Sequence, residues 1–287
     1  MSSYASSVKA LIHGRRFDVQ RSVGTLPGNA LLVGMRETPD IFANHALQFA
    51  MDEIEMLQNL CPLLGLRPIR PKPRKDDVLK HLQGCRIFHF AGHGLSDPDE
   101  PSHSCLLLED WKTSPLTVGH LREHRVQDTL PFLGFLSACS TGVNKVDRLV
   151  DEGIHLVSAF QLAGFRHVVG TLWEVSDQHC VDVARMLYET MRDEGMTDVA
   201  VCRGLHRAIR ALRDGGVGAG LMGREGSSAG IADLYDRTEV VEANTCEMPE
   251  DDTGMLTLTL EERDPGRVRK KGTDMSLLWI PYVHFGV

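Results

Sequence analysis

One apolar stretch constrains the fold of this chain more than any other. It runs over residues 130–136 and stops at Ser137-Ala138-Cys139-Ser140, where small and polar residues replace large apolar ones. A short apolar run closed by small residues predicts a strand covered on both faces, as in a parallel sheet, rather than a short helix. Ligands of open α/β sheets bind beyond the carboxyl ends of such strands, which is where Cys139 falls. The stretch therefore predicts a buried strand that delivers a nucleophile.

A second stretch, residues 86–94, has the same design. It reads as an aromatic-rich strand that ends at His93, between Gly92 and Gly94. If the two strands are parallel neighbours, His93 and Cys139 emerge at one edge of the sheet, because parallel strands place their carboxyl ends together. The two glycines allow a sharp turn and leave backbone N–H groups free to face a ligand. We therefore expect a Cys/His dyad.

A histidine beside a cysteine can activate the thiol as a nucleophile. A cysteine thiol, with an ordinary pKa of about 8.5, is a poor nucleophile at neutral pH unless an imidazole nearby accepts its proton. With His93 as that partner, Cys139 could attack a carbonyl carbon and His93 could protonate the leaving group. A cysteine at a strand end is on its own more often a buried core residue, so the joint placement of both residues carries the hypothesis.

The motifs of both strands resemble those of CHAT domains, in the caspase and separase group of cysteine proteases. The matching motifs are HFAGHG at 89–94 and LSACSTG at 136–142, followed by a block at 157–177 and a closing strand at 278–286. The resemblance covers roughly residues 28–287. It implies a caspase-like three-layer α/β sandwich, with a mostly parallel central sheet and helices on both faces. It also implies a cysteine endopeptidase, with an oxyanion hole made by the backbone N–H groups of Gly94 and Cys139.

The resemblance further implies where a substrate side chain binds. In related proteases the S1 wall is partly built by the segment after the strand that follows the cysteine strand. Here that segment is Trp173-Glu174-Val175-Ser176-Asp177, similar to the W-D-V-T-D of separase. A carboxylate there would pair with a basic side chain. We expect arginine or lysine at P1, with Asp177 or Glu174 as its partner and Trp173 in the pocket lining, although Asp177 is equally suited to cap the next helix.

Two other classes of function remain open. An inactive CHAT scaffold that binds partners through the same cleft would keep the fold without the chemistry. A zinc hydrolase is suggested by the four-residue spacing of His81, Cys85, His89 and His93, which would form a ligand row on one helix. Because the aromatic residues around His89 favour a strand, we expect no metal site, and we expect His89 to be a packed, hydrogen-bonded core histidine.

Composition excludes some partners. The net charge is −8 and the pI is near 5.9, which disfavours nucleic acid and anionic membranes as partners. Seven cysteines without close CxxC pairs suit reduced thiols, and no apolar stretch has the length of a signal peptide or membrane span. We expect a cytoplasmic enzyme without a cofactor that acts on a protein or peptide. A helical-repeat module or an activator protein would regulate it.

The order of predicted elements indicates the domain organisation. Residues 1–27 lack a clear period and read as an extension or the end of a preceding module, and the protease domain spans residues 28–287. Strands and helices alternate up to a helix at 198–213, which is typical of a doubly wound parallel sheet. The predicted elements include helices at 44–60 and 116–125, a strand at 104–109, and two last strands at 255–260 and 277–285. Residues 215–254 shift to Gly, Ser, Asp and Glu and read as a flexible insertion. Arg224 in this insertion is a predicted site of self-cleavage.

Overall fold

A computed structural model gives the fold. It describes residues 4–8, 10, 12, 28–41, 46–95, 97, 100–124, 126, 131–140, 152–171, 177–214 and 282–286. The chain divides into two compact units, residues 1–218 with 275–287, and residues 219–274. The second unit, the insertion predicted at 215–254 and the self-cleavage site at Arg224 all lie outside the described residues.

All strands of the described part join one sheet. They are β1 (Gly28–Gly34), β2 (Leu66–Ile69), β3 (Cys85–Leu95), β4 (Cys105–Leu106), β5 (Leu116–Thr117), β6 (Leu133–Ser140), β7 (His167–Thr171) and β8 (Tyr282–Phe285). The main strand order is β2-β1-β3-β6-β7-β8. The first five of these strands are parallel, and β8 closes the sheet antiparallel to β7. Short β4 and β5 extend it beyond the end of β3, also antiparallel.

Helices cover both faces of the sheet. They are α1 (Ala50–Leu60), α2 (Lys75–Leu82), α3 (Val118–Glu123), α4 (Glu152–Leu162), α5 (Asp177–Glu194) and α6 (Asp198–Arg213). One buried cluster joins α1, α5 and α6 to one face, and a second joins α2, α3 and α4 to the other. The predicted three-layer α/β sandwich with a mostly parallel sheet is therefore confirmed. No described helix combines the length and the apolar character that crossing a bilayer requires.

Strand residues alternate between the two clusters, as the period of two demands. In β3, Ile87 and Ala91 belong to the cluster of α1, α5 and α6, whereas Phe88 and Phe90 belong to the other. In β6, Phe135 belongs to the first cluster and Leu136 to the second. We call the face that packs against α1, α5 and α6 the α1 face. From Ile87 onwards in β3 and from Leu133 onwards in β6, odd-numbered positions lie on it.

The structure corrects three predicted boundaries. The helix expected from residue 44 begins at Ala50, because the chain forms turns at residues 48–49. The strand expected at 104–109 is reduced to β4, and the helix expected from residue 116 is preceded by β5. The last four residues of the strand expected at 277–285 form β8, whereas the strand expected at 255–260 lies outside the described residues.

A buried polar cluster ties β8 to the rest of the core. His284 of β8 lies 3.0 Å from His167 of β7, between Nε2 and Nδ1, and His167 Nε2 lies 2.8 Å from a carboxylate oxygen of Asp198 at the start of α6. The guanidinium of Arg166 donates two hydrogen bonds to the same carboxylate. Burial, together with the neighbouring His167, lowers the pKa of His284 to about 3, although the carboxylate of Asp198 acts in the opposite direction. This cluster lies where β7 begins, at the edge of the sheet opposite to Cys139.

Candidate active site

The sheet brings the two predicted dyad residues together. β3 and β6 are adjacent and parallel, and their unbroken register pairs His93 with Cys139. Neighbouring strands lie about 4.8 Å apart, so the backbones of these two residues are as close as two strands allow. The structure describes the backbone of Cys139, and its side chain lies outside the described part. The predicted adjacency of the two strand ends is thus met at the level of the backbone.

The register gives both residues positions on the same face of the sheet. His93 follows Ile87 and Ala91 at an odd position of β3, and its partner Cys139 follows Leu133 and Phe135 at an odd position of β6. The first turns of α1 and α5 lie at this edge, because each helix follows a strand that ends there. His93 is only 3% exposed. Electrostatic interactions of its imidazole are therefore much less screened than they would be in water.

The glycines around His93 do not form the predicted turn. β3 continues to Leu95, because β4 pairs antiparallel with Gly94 and Leu95 while β6 pairs with Gly94 from the other side. The expectation that the strand ends at His93 is therefore wrong. Gly92 is required for another reason, since a Cβ there would lie 2.5 Å from the ring of Phe90. Gly94 and Cys139, our predicted oxyanion-hole residues, both lie within the β3–β6 ladder.

A buried polar network lies on the α1 face, next to strand residues that precede Cys139 and His93. Glu53 of α1 accepts a hydrogen bond from the hydroxyl of Ser137 at 3.0 Å, and its other oxygen lies 2.9 Å from Nε2 of His89. Nδ1 of His89 lies 3.1 Å from the hydroxyl of Tyr188, and the imidazole stacks on Phe135. The prediction that His89 is a hydrogen-bonded core histidine is confirmed. We call Glu53, His89, Ser137 and Tyr188 the Glu53 network.

Sequence reasoning missed the Glu53 network, although a signal was present. Glu53 lies on the apolar stripe of α1 with Ala50 and Leu57, at spacings of three and four residues. A carboxylate in such a stripe must find hydrogen-bond partners, because burying it alone is costly. Those partners lie on β3, β6 and α5, and only the tertiary structure identifies them.

Other cysteines of the described part suit a structural role. Burial raises the pKa of the Cys61 and Cys85 thiols to about 12 and that of Cys105 to about 11. A thiol of this kind carries almost no thiolate at neutral pH, and the thiolate is the nucleophile. These three cysteines are therefore unsuited to nucleophilic catalysis.

The predicted S1 residues are only partly covered by the structure. Trp173 and Glu174 lie outside the described residues. Asp177 is the first residue of α5, and its side chain is outside the described part as well. Both of its predicted roles, S1 partner and helix cap, stay predictions.

A pocket of about 750 Å³ lies at the same edge of the sheet, beyond the end of β1. Its wall is the segment at 34–41, with Ala46, Pro73 and Glu109. The backbone N–H of Met35 donates to the carbonyl of Ala91 at 2.8 Å, which fixes this wall beside β3. Open α/β sheets bind ligands where strand order reverses, and β1 lies between β2 and β3 at such a point.

The pocket is lined by charged groups. The carboxylate of Asp40 pairs with Lys112 at 2.8 Å, and Arg36 donates to the amide oxygen of Gln48. Glu37 and Glu109 add further carboxylates to the lining. The pocket can therefore receive a polar or basic side chain at the carboxyl edge of the sheet, and sequence reasoning did not identify it.

The zinc alternative finds no support in the part of the chain that the structure describes. His81 belongs to α2, whereas Cys85, His89 and His93 belong to β3. Nδ1 of His81 lies 2.8 Å from the carbonyl of Asp77, and both nitrogens of His89 are engaged in the Glu53 network. Among the described residues, no cluster of His, Cys, Asp or Glu has the geometry to hold a metal ion.

Comparison with known proteins completes the description of the site. The sequence profile of the CHAT domain matches residues 1–275. A search of curated proteins finds no match. Among solved structures, the chain is similar to a complex of the pro- and mature domains of RgpB from Porphyromonas gingivalis and to the Arg-specific cysteine proteinase gingipain R. Both alignments have a TM-score of 0.43 and 14% identity, and cover 72% of this chain and 44% of the other. The chain thus spans less than half the length of these gingipain chains.

Proposed function

Because this chain belongs to the CHAT domain family, we propose that it is a cysteine endopeptidase with Cys139 as nucleophile and His93 as general acid and base. The observation that carries the proposal is the register that pairs these residues on adjacent parallel strands. The proposal is supported by this register because it brings the backbones of a cysteine and a histidine together at one edge of the sheet. A substrate carbonyl bound above that edge would be within reach of both groups.

The reaction follows from these two groups. His93 takes the proton of the Cys139 thiol, and the thiolate adds to the carbonyl carbon of the scissile bond, giving a tetrahedral oxyanion. The backbone N–H groups of Gly94 and Cys139 would stabilise this oxyanion, for which one donor contributes about 2.7 to 4 kcal/mol in other proteases. The imidazolium of His93 then protonates the departing amine, leaving an acyl-enzyme. His93 finally activates a water molecule, which releases the acid product and restores the thiol.

We propose that the substrate carries arginine or lysine at P1. Carboxylates form charge-assisted hydrogen bonds with either side chain, and with arginine these bonds can be bidentate. Asp177 and Glu174 are the predicted partners, with Trp173 in the lining. Glu37 of the pocket beyond β1 is a second source of carboxylate at this edge. The proposed substrate is a protein or peptide in the cytoplasm, and regulation would come from a helical-repeat module or an activator protein.

A panel of fluorogenic peptides with Arg, Lys, Asp, Asn or Leu at P1 tests the proposal. We expect cleavage after Arg or Lys, and a loss of at least about 1000-fold in Cys139→Ala and in His93→Ala, because these residues act as one unit. Asp177→Asn and Glu37→Gln, compared side by side, would identify the P1 partner by a rise in KM for basic substrates. Cleavage after Asp or Leu would rule out an acidic S1 pocket.

The rival function is an inactive scaffold that binds partners through the same cleft. Its test does not need a substrate. The rate of Cys139 alkylation by iodoacetamide, measured against pH, reports the thiol pKa. A catalytic Cys139 should ionise below the ordinary pKa of about 8.5 and lose that property in His93→Ala, whereas a scaffold needs no such shift.

A further inference from the structure

The Glu53 network admits one consistent arrangement of its protons. Among the described residues, Nδ1 of His89 is the one hydrogen-bond partner of the Tyr188 hydroxyl, so the hydroxyl must donate to it. The neutral imidazole then carries its proton on Nε2 and donates it to Glu53. Ser137 donates to the other oxygen of Glu53. Protonating either Glu53 or His89 would leave one of these hydrogens without an acceptor.

The network therefore holds one net negative charge. Glu53 is the charged member, and the groups facing it are neutral: His89 from β3, Ser137 from β6 and Tyr188 from α5. Burial raises the pKa of Tyr188 well above its usual range, and it does the same for Cys61 at the end of α1, so neither adds charge. Two hydrogen bonds and the amino-terminal turn of α1 stabilise the carboxylate, yet burying a charge without a counter-ion remains costly.

The charge lies on the α1 face, beside residues that precede the dyad by two positions in β6 and by four in β3. Ser137 precedes Cys139 by two residues on the same face of β6, which is about 7 Å along a strand. His89 precedes His93 by four residues on the same face of β3. Glu53 thus contacts both dyad strands, through His89 of β3 and Ser137 of β6, on the face on which His93 lies.

We propose that Glu53 is a positioning residue of the Cys139–His93 dyad, which links the two dyad strands and supplies a fixed negative charge that favours the protonated imidazole of His93. This inference rests on the proposed function and deepens it. The protonated imidazole is the form that donates a proton to the leaving amine. The same charge opposes the thiolate, so both ionisations of the dyad occur at higher pH than they would without Glu53.

The test replaces the charge and keeps the shape. In Glu53→Gln, we expect both limbs of the pH profile of kcat/KM to move to lower pH by roughly one unit, because the field of a buried charge is only partly screened at an effective dielectric constant of about 20. The midpoint of Cys139 alkylation by iodoacetamide should move in the same direction. Ser137→Ala is the matched control, because it removes a hydrogen bond from Glu53 and keeps the charge. It should lower the rate and leave both limbs in place.

A second variant covers the case in which Glu53→Gln does not fold, as judged by its thermal melt. Replacing Glu53, His89, Ser137 and Tyr188 together by Met, Leu, Ala and Phe removes the whole network, and apolar replacement of buried charged groups often preserves stability. The same downward shift is expected. The role of Glu53 would be overturned if, in whichever variant folds, both limbs of the pH profile and the midpoint of Cys139 alkylation stay within about 0.3 pH unit of the wild-type values.

The two proposals fail in different ways. If the wild type cleaves no peptide, the proposed function is not supported, but alkylation of Cys139 still reads the charge effect of Glu53. If the wild type cleaves peptides and removal of Glu53 shifts neither limb, the endopeptidase stands and the inference about Glu53 is wrong.

Discussion

The described histidines differ widely in burial, and burial affects whether each imidazole can take up a proton. His89 is fully buried and both of its ring nitrogens have partners, so its proton positions are fixed by the Glu53 network. His284 is also fully buried, and its neighbour is a second histidine, so a proton on it is strongly disfavoured. His103, by contrast, has a side chain that is 68% exposed. The imidazole side chain thus occupies three different environments in one fold.

His284 should make the protein less stable in acid. Its pKa in the folded state, about 3, lies below the ordinary value near 6.5 of an unfolded chain. Between these values the unfolded state binds more protons, so stability falls as pH falls, by up to about 1.4 kcal/mol per pH unit from this residue. His284→Gln cannot be protonated and can still bond to His167. We expect a shallower loss of unfolding free energy between pH 6 and pH 4, measured by urea denaturation.

His103→Gln is the matched control for this experiment, because it removes an exposed histidine. The change of slope in His284→Gln is compared with the change that this control produces. Equal slopes in His284→Gln and wild type would show that His284 does not resist protonation in the folded protein.

Single residues of the site differ in how far the sequence predicts them. His93 and Cys139 are predictable, because each ends an apolar run, and the carboxyl ends of parallel strands meet at one edge. Glu53 was not predicted, since nothing near it in sequence identifies the hydroxyl and imidazole that solvate it. The end of β3 was misjudged because pairing with β4, a contact made by later residues, outweighs the turn preference of the glycines.

At the scale of elements, local signals predict boundaries well where the end of a helix has its own chemistry. The predicted bounds of α6 are those observed, Asp198–Arg213. Thr197 caps this helix, since its side chain accepts a hydrogen bond from the backbone N–H of Ala200 at 3.1 Å. At the start of α1 the residue before Ala50, Phe49, provides no side-chain cap, and the predicted start was wrong. A periodic apolar pattern alone leaves a helix end undefined.

Gly204 sets the distance between α5 and α6. A Cβ at this position would lie 3.0 Å from the Cα of Leu187 and 3.1 Å from the Cβ of Thr190, and a backbone atom cannot move aside as a flexible side chain can. Gly204→Ala gains about 1 kcal/mol of helix propensity, but overpacking costs about 1 to 3 kcal/mol. We expect a net loss of about 1 kcal/mol, seen as a fall in Tm of about 2 to 4 °C. His206→Ala, at an exposed position of α6, should not lower Tm; an unchanged or higher Tm in Gly204→Ala would show that the helices can separate freely.

At the scale of the whole molecule, strand order is the feature that the sequence leaves open. The parallel sheet and its two helical layers were predictable, because apolar runs alternate with amphipathic helices. The pocket beyond β1 was not, since it depends on β1 lying between β2 and β3. The chain also returns from residue 214 to pair β8 with β7, and Tyr4 forms a bridge with Phe285 on the other side of β8. Contacts between such distant residues leave no local trace in the sequence.

β8 should behave as an integral part of the core even when the chain is cut before it. Tyr282, His284 and Phe285 are each at most 6% exposed, and His284 joins the polar cluster of β7 and α6. A specific protease site inserted after Gly223 would convert one chain into two fragments, held together by non-covalent contacts alone. Stability then depends on mass action, so the Tm of the cut protein should rise with protein concentration, whereas that of the uncut protein should not. His284→Ala should lower the Tm of the cut protein more than that of the uncut one, because β8 can then dissociate. A cut protein whose Tm equals that of the intact chain at every concentration would mean that the fold does not require β8.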